Sequence, residues 1–315
     1  MTKNEYYQSI VKSLVNYETE IRADGAIDSK SVDDIMYYVK SIDPSLFHVG
    51  SLQVAVSMLG NIIIHPEYLY SEAEYKSLKK QISEKIRPVK QYLATLSNDA
   101  EKEKYVHDYV CRSVRYSDNG LVSHLLVGPL LYGEGVCDGI SQSVQLLLKS
   151  CGVKSYMVTG SAYNRHHTND GAHAWNVVCI DGRWYHLDVT FDLGVSSDFL
   201  KYDYYNLTTN QILADHVIDY APIDCKRECV HVGDYYTQRK LCFSDYDTLK
   251  RYFRHVFTKR KEHVQLRMSA SYSEALKNDV VFVWNSVARE MNLTMRSGMS
   301  VNEFQSVFAW DVQYF

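Results

Sequence analysis

Three residues in the middle of the chain have the types and surroundings of a thiol catalytic site: Cys137, His173 and Asp188. Cys137 follows a stretch punctuated by Gly128, Gly133 and Gly135, and it opens an apolar pattern. Ile140, Val144, Leu147 and Leu148 fall at i, i+4, i+7 and i+8, which is one face of a helix. The pattern predicts a helix that begins at Cys137 and is stopped by Gly152. The first N–H groups of such a helix lack intrahelical acceptors, and together with the macrodipole they favour negative charge. A thiol placed there is expected to have a raised thiolate fraction, and neighbouring N–H groups can stabilise an oxyanion. Asp138 opposes a thiolate, so a cationic partner is required.

A hairpin can supply that partner. Residues 174–180 and 183–189 are apolar or aromatic, and Asp181-Gly182 between them favours a two-residue type I′ turn. In that register Trp175 faces position 188 and His173 faces position 190. The period-two rule then puts His173, Trp175, His186 and Asp188 on one face. His173 and Asp188 become diagonal neighbours, within hydrogen-bonding reach. A histidine base needs this from a carboxylate, which fixes the tautomer and stabilises the imidazolium. Taken singly, a helix-start cysteine is more often a small buried residue, and a His–Asp pair on a sheet is more often structural. The linkage of all three favours chemistry.

Gly133-Glu134-Gly135-Val136-Cys137-Asp138-Gly139, then His173-Ala174-Trp175-Asn176, then Trp184-Tyr185-His186-Leu187-Asp188 resemble, in order, the three motifs of the bacterial transglutaminase-like superfamily. The resemblance is close over about 100–195. It implies a papain-like α+β fold, with a nucleophile helix packed on an antiparallel sheet, and a Cys137–His173–Asp188 triad. Two positions depart from the family pattern: Ile140 follows Gly139 where a tyrosine is common, and Val127 stands where an aromatic is common. The side chain of the oxyanion hole is therefore unassigned, with Tyr116, His124 and Tyr132 as candidates. Trp175, Asn176, His186 and Tyr132 are expected in the cleft or behind the triad, with Trp175 shielding the His–Asp pair and Trp184 in the core.

Other residues compete less well. Cys179 and Cys151 read as core thiols, and His166 and His167 lie in a polar loop beside the hairpin. Cys225 and Cys229 form a Cys-x3-Cys pair near His231, but a zinc site needs a fourth ligand at matching spacing. No metal or other cofactor is expected.

The elements around the site suggest three units: an α+β unit over 1–70, a catalytic domain with a helical lead-in over 71–230, and an accessory α+β unit over 231–315. Helices are predicted near 3–15, 30–41, 71 into the 90s, 99–114, 244–258 and 284–292. Strands are predicted near 17–23, 153–160, 263–269 and 305–315. Phe47–Met58 and Asn61–Tyr70 are two further apolar stretches, with Gly60-Asn61 as a turn signal. Ser71 and Glu74 form a capping box.

With 34 basic and 38 acidic residues the formal charge is −4, which gives no footprint for nucleic acid. The densest basic run, Arg251 to Lys261, has the spacing of a solvated helix face. The N-terminus lacks an apolar signal region and no apolar run approaches a bilayer span, so a cytoplasmic protein without membrane partners is expected. Seven scattered cysteines agree with a reducing compartment. The expected function is attack of Cys137 on an amide or acyl carbon of a protein or peptide, the acyl-thioester passing to water (protease or amidase) or to an amine (transglutaminase). The alternative is a binding module that keeps the fold with little or no catalysis. Oligomeric state is not legible.

Overall fold

The structure is a computed structural model, and it describes residues 3–23, 35, 37, 39–56, 62–163, 169–194 and 199–315. The Gly60-Asn61 turn and the histidines at 166 and 167 lie outside the described residues, as does much of the helix expected near 30–41. The molecule is a mixed α+β fold with antiparallel sheets. Among the described residues, no helix is long and apolar enough to cross a membrane.

The N-terminal helix Lys3–Val15 packs with a three-stranded sheet of β1 (Ile21–Ala23), β2 (Val49–Val56) and β3 (Ile62–Tyr68). Tyr7, Ile10, Leu14, Ile35, Val39 and Ile64 fill the space between. The helix Glu72–Leu93 starts at the expected capping box, with Ser71 accepting from the Glu74 amide and Glu74 accepting from the Ser71 amide. The helix Asp99–Ser113 follows. A short parallel pair, β4 (Arg115–Tyr116) and β5 (Glu134–Gly135), leads to the helix Cys137–Ser150.

That helix lies on a four-stranded antiparallel sheet of β6 (Lys154–Tyr163), β7 (Asn169–Ile180), β8 (Arg183–Leu187) and β9 (His216–Tyr220), in the order β8-β7-β6-β9. The predicted apolar face is the one it buries: Ile140, Val144, Leu147 and Leu148 are inaccessible. Burial of each contributes roughly 1.5–3 kcal/mol. Gly152 ends the helix turn at φ +83°, a conformation that side chains with Cβ rarely adopt. At Gly139 a Cβ would lie 2.4 Å from the Ser123 carbonyl, so only glycine lets the 121–125 turn pass against the first turn of the helix.

The hairpin has the predicted register. Asn176 pairs with Leu187, Val177 with His186 and Cys179 with Trp184. Asp181 and Gly182 both take positive φ, at 50° and 77°, as a type I′ turn requires. β9 was not anticipated; it pairs with β6 on the far side of the sheet from the hairpin turn.

The C-terminal part contains β10 (Cys242–Phe243), the helix Tyr246–Thr258, β11 (His263–Met268), the helix Glu274–Glu290, β12 (Met295–Asn302) and β13 (Val307–Tyr314). Its sheet runs β10-β11-β13-β12, so β12 is an edge strand. Phe253, Trp284 and Trp310 form its aromatic core. Two expectations are corrected here. The last helix begins at Glu274 rather than near 284, capped by Ser273, and β12 was unread because its polar, glycine-containing sequence carries no alternation. The basic run is paired in part: Arg254 meets Glu290, which the preceding Lys250 also reaches.

Candidate active site

Two elements bring the three motif residues together. Cys137 is the first residue of its helix, with Val136 at the cap position and no side chain capping it. His173 projects from β7, and Asp188 sits where β8 ends and a one-turn helix, Val189–Asp192, begins. Nε2 of His173 lies 2.7 Å from Oδ2 of Asp188. Cys137 lies close enough to the same ring to act on it electrostatically, and its sulfur lies 4.0 Å from Oδ1 of Asp138; since Nε2 is engaged by Asp188, Nδ1 is the nitrogen left free of it. Cys137 is 7% exposed, His173 8% and Asp188 fully buried.

The electrostatics follow from that burial. Desolvation disfavours the charged imidazole, but the Asp188 carboxylate outweighs it, helped by Cys137, and the His173 pKa is pushed up to about 10. Asp188 is likewise opposed by burial, yet His173 and a second histidine hold its carboxyl well below the usual range. Its other oxygen accepts the Phe191 amide at 3.1 Å and caps the one-turn helix. The same turn is fixed from outside by Asp192, whose Oδ1 accepts the Tyr204 amide and whose Oδ2 faces His107 of the Asp99–Ser113 helix at 3.2 Å.

The second histidine is His216, which sequence reasoning missed. It enters on β9, with Nε2 3.0 Å from Asp188 Oδ2 and Nδ1 2.7 Å from Asp215 Oδ1. Tyr204 donates its hydroxyl to the other oxygen of Asp215. No motif marks Asp215 or His216; the available signal was a His–Asp dipeptide ahead of the short apolar alternation 217–220, too weak to place in a sheet.

Trp175 lies where expected, fully buried, its ring 5.9 Å from that of His173. Its indole N–H donates to Nδ1 of His186 at 3.0 Å. Asn176 is buried behind the site and donates to the Ser141 carbonyl at 3.1 Å, while Ser141 donates to the Ala174 carbonyl at 3.0 Å. These bonds clamp the helix that starts at Cys137 to the strand of His173. Tyr132 departs from expectation: it is 66% exposed and its electrostatic partner is Tyr70, on the lead-in. Tyr116 is exposed, and its backbone pairs with Gly135. His124 places Nδ1 3.1 Å from Asp138, the residue after the thiol. Cys151 and Cys179 are half-buried rather than core, and Trp184 is half-buried against Tyr156.

Cys225 and Cys229 meet His186, not His231; the three ligand atoms lie within 4.8 Å of one another. Metal binding there meets an obstacle. Nδ1 of His186 accepts the Trp175 N–H, so Nε2 carries the proton, and it donates to Thr209 at 3.1 Å. The ring has no lone pair left for an ion. The Cys229 thiol instead supports Cys225, whose pKa is held below the usual thiol range against burial.

A cavity of about 550 Å³ lies beside the site, between Phe191 and Tyr204 on one side and Met299, Val301, Asn302 and Phe304 on the other. The Phe191 ring also packs 4.8 Å from that of His173.

A nucleophile helix on an antiparallel sheet, with Cys, His and Asp converging at one end, is a transglutaminase-like core. Residues 87–189 match the model of the transglutaminase-like superfamily, which generally includes cysteine-dependent enzymes. No curated protein matches the chain. Similar solved structures include a TGase, at 16% identity over 54% of this chain and 51% of that one, TM-score 0.32. An arylamine N-acetyltransferase from Bacillus cereus, with a Cys-His-Glu triad, is 15% identical over 38% of this chain and 49% of its own, TM-score 0.27. The periplasmic domain of TgpA from Pseudomonas aeruginosa is 14% identical over 42% and 55%, TM-score 0.27. The chain thus spans about half the length of these structures.

Proposed function

We propose that the protein is a thiol enzyme that acts on an amide or acyl group of a protein or peptide. The observation that carries this reading is a cysteine at a helix start, beside a buried histidine that a buried carboxylate holds at 2.7 Å. Cys137 attacks the carbonyl carbon as thiolate, and its first-turn N–H groups stabilise the oxyanion. His173, an imidazolium beside the sulfur, protonates the leaving amine, which gives an acyl-thioester. The neutral imidazole then takes a proton from the incoming water or amine, whose attack on the thioester carbon expels the sulfur, releases the acyl group and restores the thiolate–imidazolium pair. Asp188 keeps the ring oriented throughout.

The burial of Cys137 favours one other reading, a binding module that retains the fold without turnover. Labelling with iodoacetamide across pH, followed by mapping of all seven cysteines, separates the two. Preferential modification of Cys137 below pH 7, abolished in Cys137→Ala, is expected of the enzyme. A Cys137 that reacts no faster than the other six would sink it.

A further inference from the structure

Both ring nitrogens of His216 face carboxylates: Nδ1 meets Asp215 at 2.7 Å and Nε2 meets Asp188 at 3.0 Å. A carboxylate only accepts, so each nitrogen must donate, and a histidine that donates from both nitrogens is an imidazolium. Asp188 accepts from the Phe191 amide on Oδ1 and from two histidines on Oδ2, which leaves no place for a proton of its own. Asp215 receives the Tyr204 hydroxyl on one oxygen and His216 on the other. We propose that His216 is a permanent buried cation and a positioning residue, which shares the charge of Asp188 and so limits how tightly His173 holds its proton.

The titratable groups around His216 are few. Asp188 faces it from the end of β8, His173 from β7 with ring centroids 5.4 Å apart, and Tyr204 from the 199–208 loop at 5.6 Å; Asp215 is its own neighbour. Trp175 and Phe191 close the remaining sides with apolar rings at 5.0 and 4.9 Å. Cys137 lies beyond His173. Burial works against a charged His216, but Asp188 and Asp215 together raise its pKa above the ordinary histidine value. Two imidazoliums around one carboxylate repel each other. A site with His173 alone on Asp188 would bind the proton more tightly and release it less readily to a leaving amine. His216 therefore brings the His173 proton closer to the range in which transfer is fast. The charge state of His216 stands by itself; its catalytic consequence rests on the function proposed above.

Nitrogen-15 NMR of the histidine-labelled full-length protein tests this, with His216→Gln used to assign the resonance. In the wild type both His216 nitrogens are expected at protonated shifts from pH 5 to 9, with no titration. In His216→Gln, where a neutral amide can still donate to Asp188, the His173 titration, followed in spectra extended to about pH 12, is expected to move upward by about one pKa unit, tenfold in proton affinity. Asp215→Asn, a milder change, is expected to bring the His216 titration down into the observed window. A wild-type His216 that titrates near 6.5, or carries one bare nitrogen at pH 7, overturns the cation. An unmoved His173 titration in His216→Gln overturns the coupling. If His216→Gln does not fold, Asp215→Asn decides the charge state. None of these readouts needs turnover, so an inert Cys137 would defeat the enzyme reading without touching this one.

Discussion

The carbonyl of Ser141 accepts the side-chain N–H of Asn176 at 3.1 Å, and with the bond from the Ser141 hydroxyl to the Ala174 carbonyl it links the helix of the thiol to the strand of the imidazole. Ser141 is one turn beyond Cys137, and Asn176 is three residues beyond His173, so any slip between helix and sheet moves sulfur and ring apart. Asn176→Ala removes the side-chain donor to a buried helix carbonyl, which costs about 0.5–1.5 kcal/mol. The denaturant midpoint should fall accordingly. The rate of Cys137 alkylation should fall with it under native conditions, because the imidazolium no longer sits squarely against the sulfur. A variant that loses stability but keeps wild-type alkylation would show that the clamp supports the fold alone.

Asp188→Asn keeps the shape of the side chain and removes its charge. Its amide can present an N–H to His173 where a carboxylate accepted one, and the ring then loses both its orientation and its reason to be protonated. A loss of about 10³–10⁴-fold in kcat/KM is expected, by analogy with the orienting aspartate of serine proteases. The same change leaves the buried His173 without its counter-charge and His216 with Asp215 alone, and breaking a buried pair from one side costs about 3–5 kcal/mol. Steady-state kinetics on a peptide amide, together with urea titration, would check both. Near-normal kcat/KM in a folded variant would remove Asp188 from the mechanism.

The core of the site was readable because each signal was local. A two-residue Asp181-Gly182 turn fixes the pairing of β7 with β8, and pairing plus period two places His173 diagonally from Asp188 without further information. The face of the Cys137–Ser150 helix was fixed in the same way by four apolar residues. His216 was out of reach because it depends on a contact between strands 53 residues or more apart in β6 and β9, with no turn to set their register. The His186–Cys225–Cys229 cluster failed for the same reason: His231 is near in sequence, but the fold brings His186 instead. Tyr132 was one of three candidates for a side chain the sequence left unassigned, and its electrostatic partner is Tyr70 of the lead-in.

Stability should carry a signature of the His173–Asp188 pair on the alkaline side. The folded-state pKa of His173, about 10, lies above the unfolded value near 6.5, so folding takes up a proton between them. The contribution is fully present below about pH 6.5 and is lost progressively as pH rises through about 10. Asp188 acts in the opposite direction, its depressed pKa giving stability above about pH 3.9 that disappears only in strong acid. Urea midpoints measured from pH 6 to 10 should therefore decline in the wild type and decline less in His173→Gln. Parallel profiles would mean that the imidazole is neutral in the folded protein.

Gly160 is the residue on which the placement of His216 turns. It lies opposite His173 in β7 and Ile218 in β9, and a Cβ built there would come 1.8 Å from the Val217 carbonyl. Backbone cannot yield as a flexible side chain does, so Gly160→Ala must push β9 away from β6. The displacement would pull His216 off Asp188 before it disturbed Cys137 or the hairpin, because β8 and β7 lie on the other side of β6. The expected result is a stability loss of about 1–3 kcal/mol, as for other overpacked sites, with the thiol still reactive but its pH profile altered toward that of His216→Gln. Crystallography of Gly160→Ala would show the strand shift directly. An unshifted β9 with an unchanged profile would mean that the close approach of the two strands is not what seats His216.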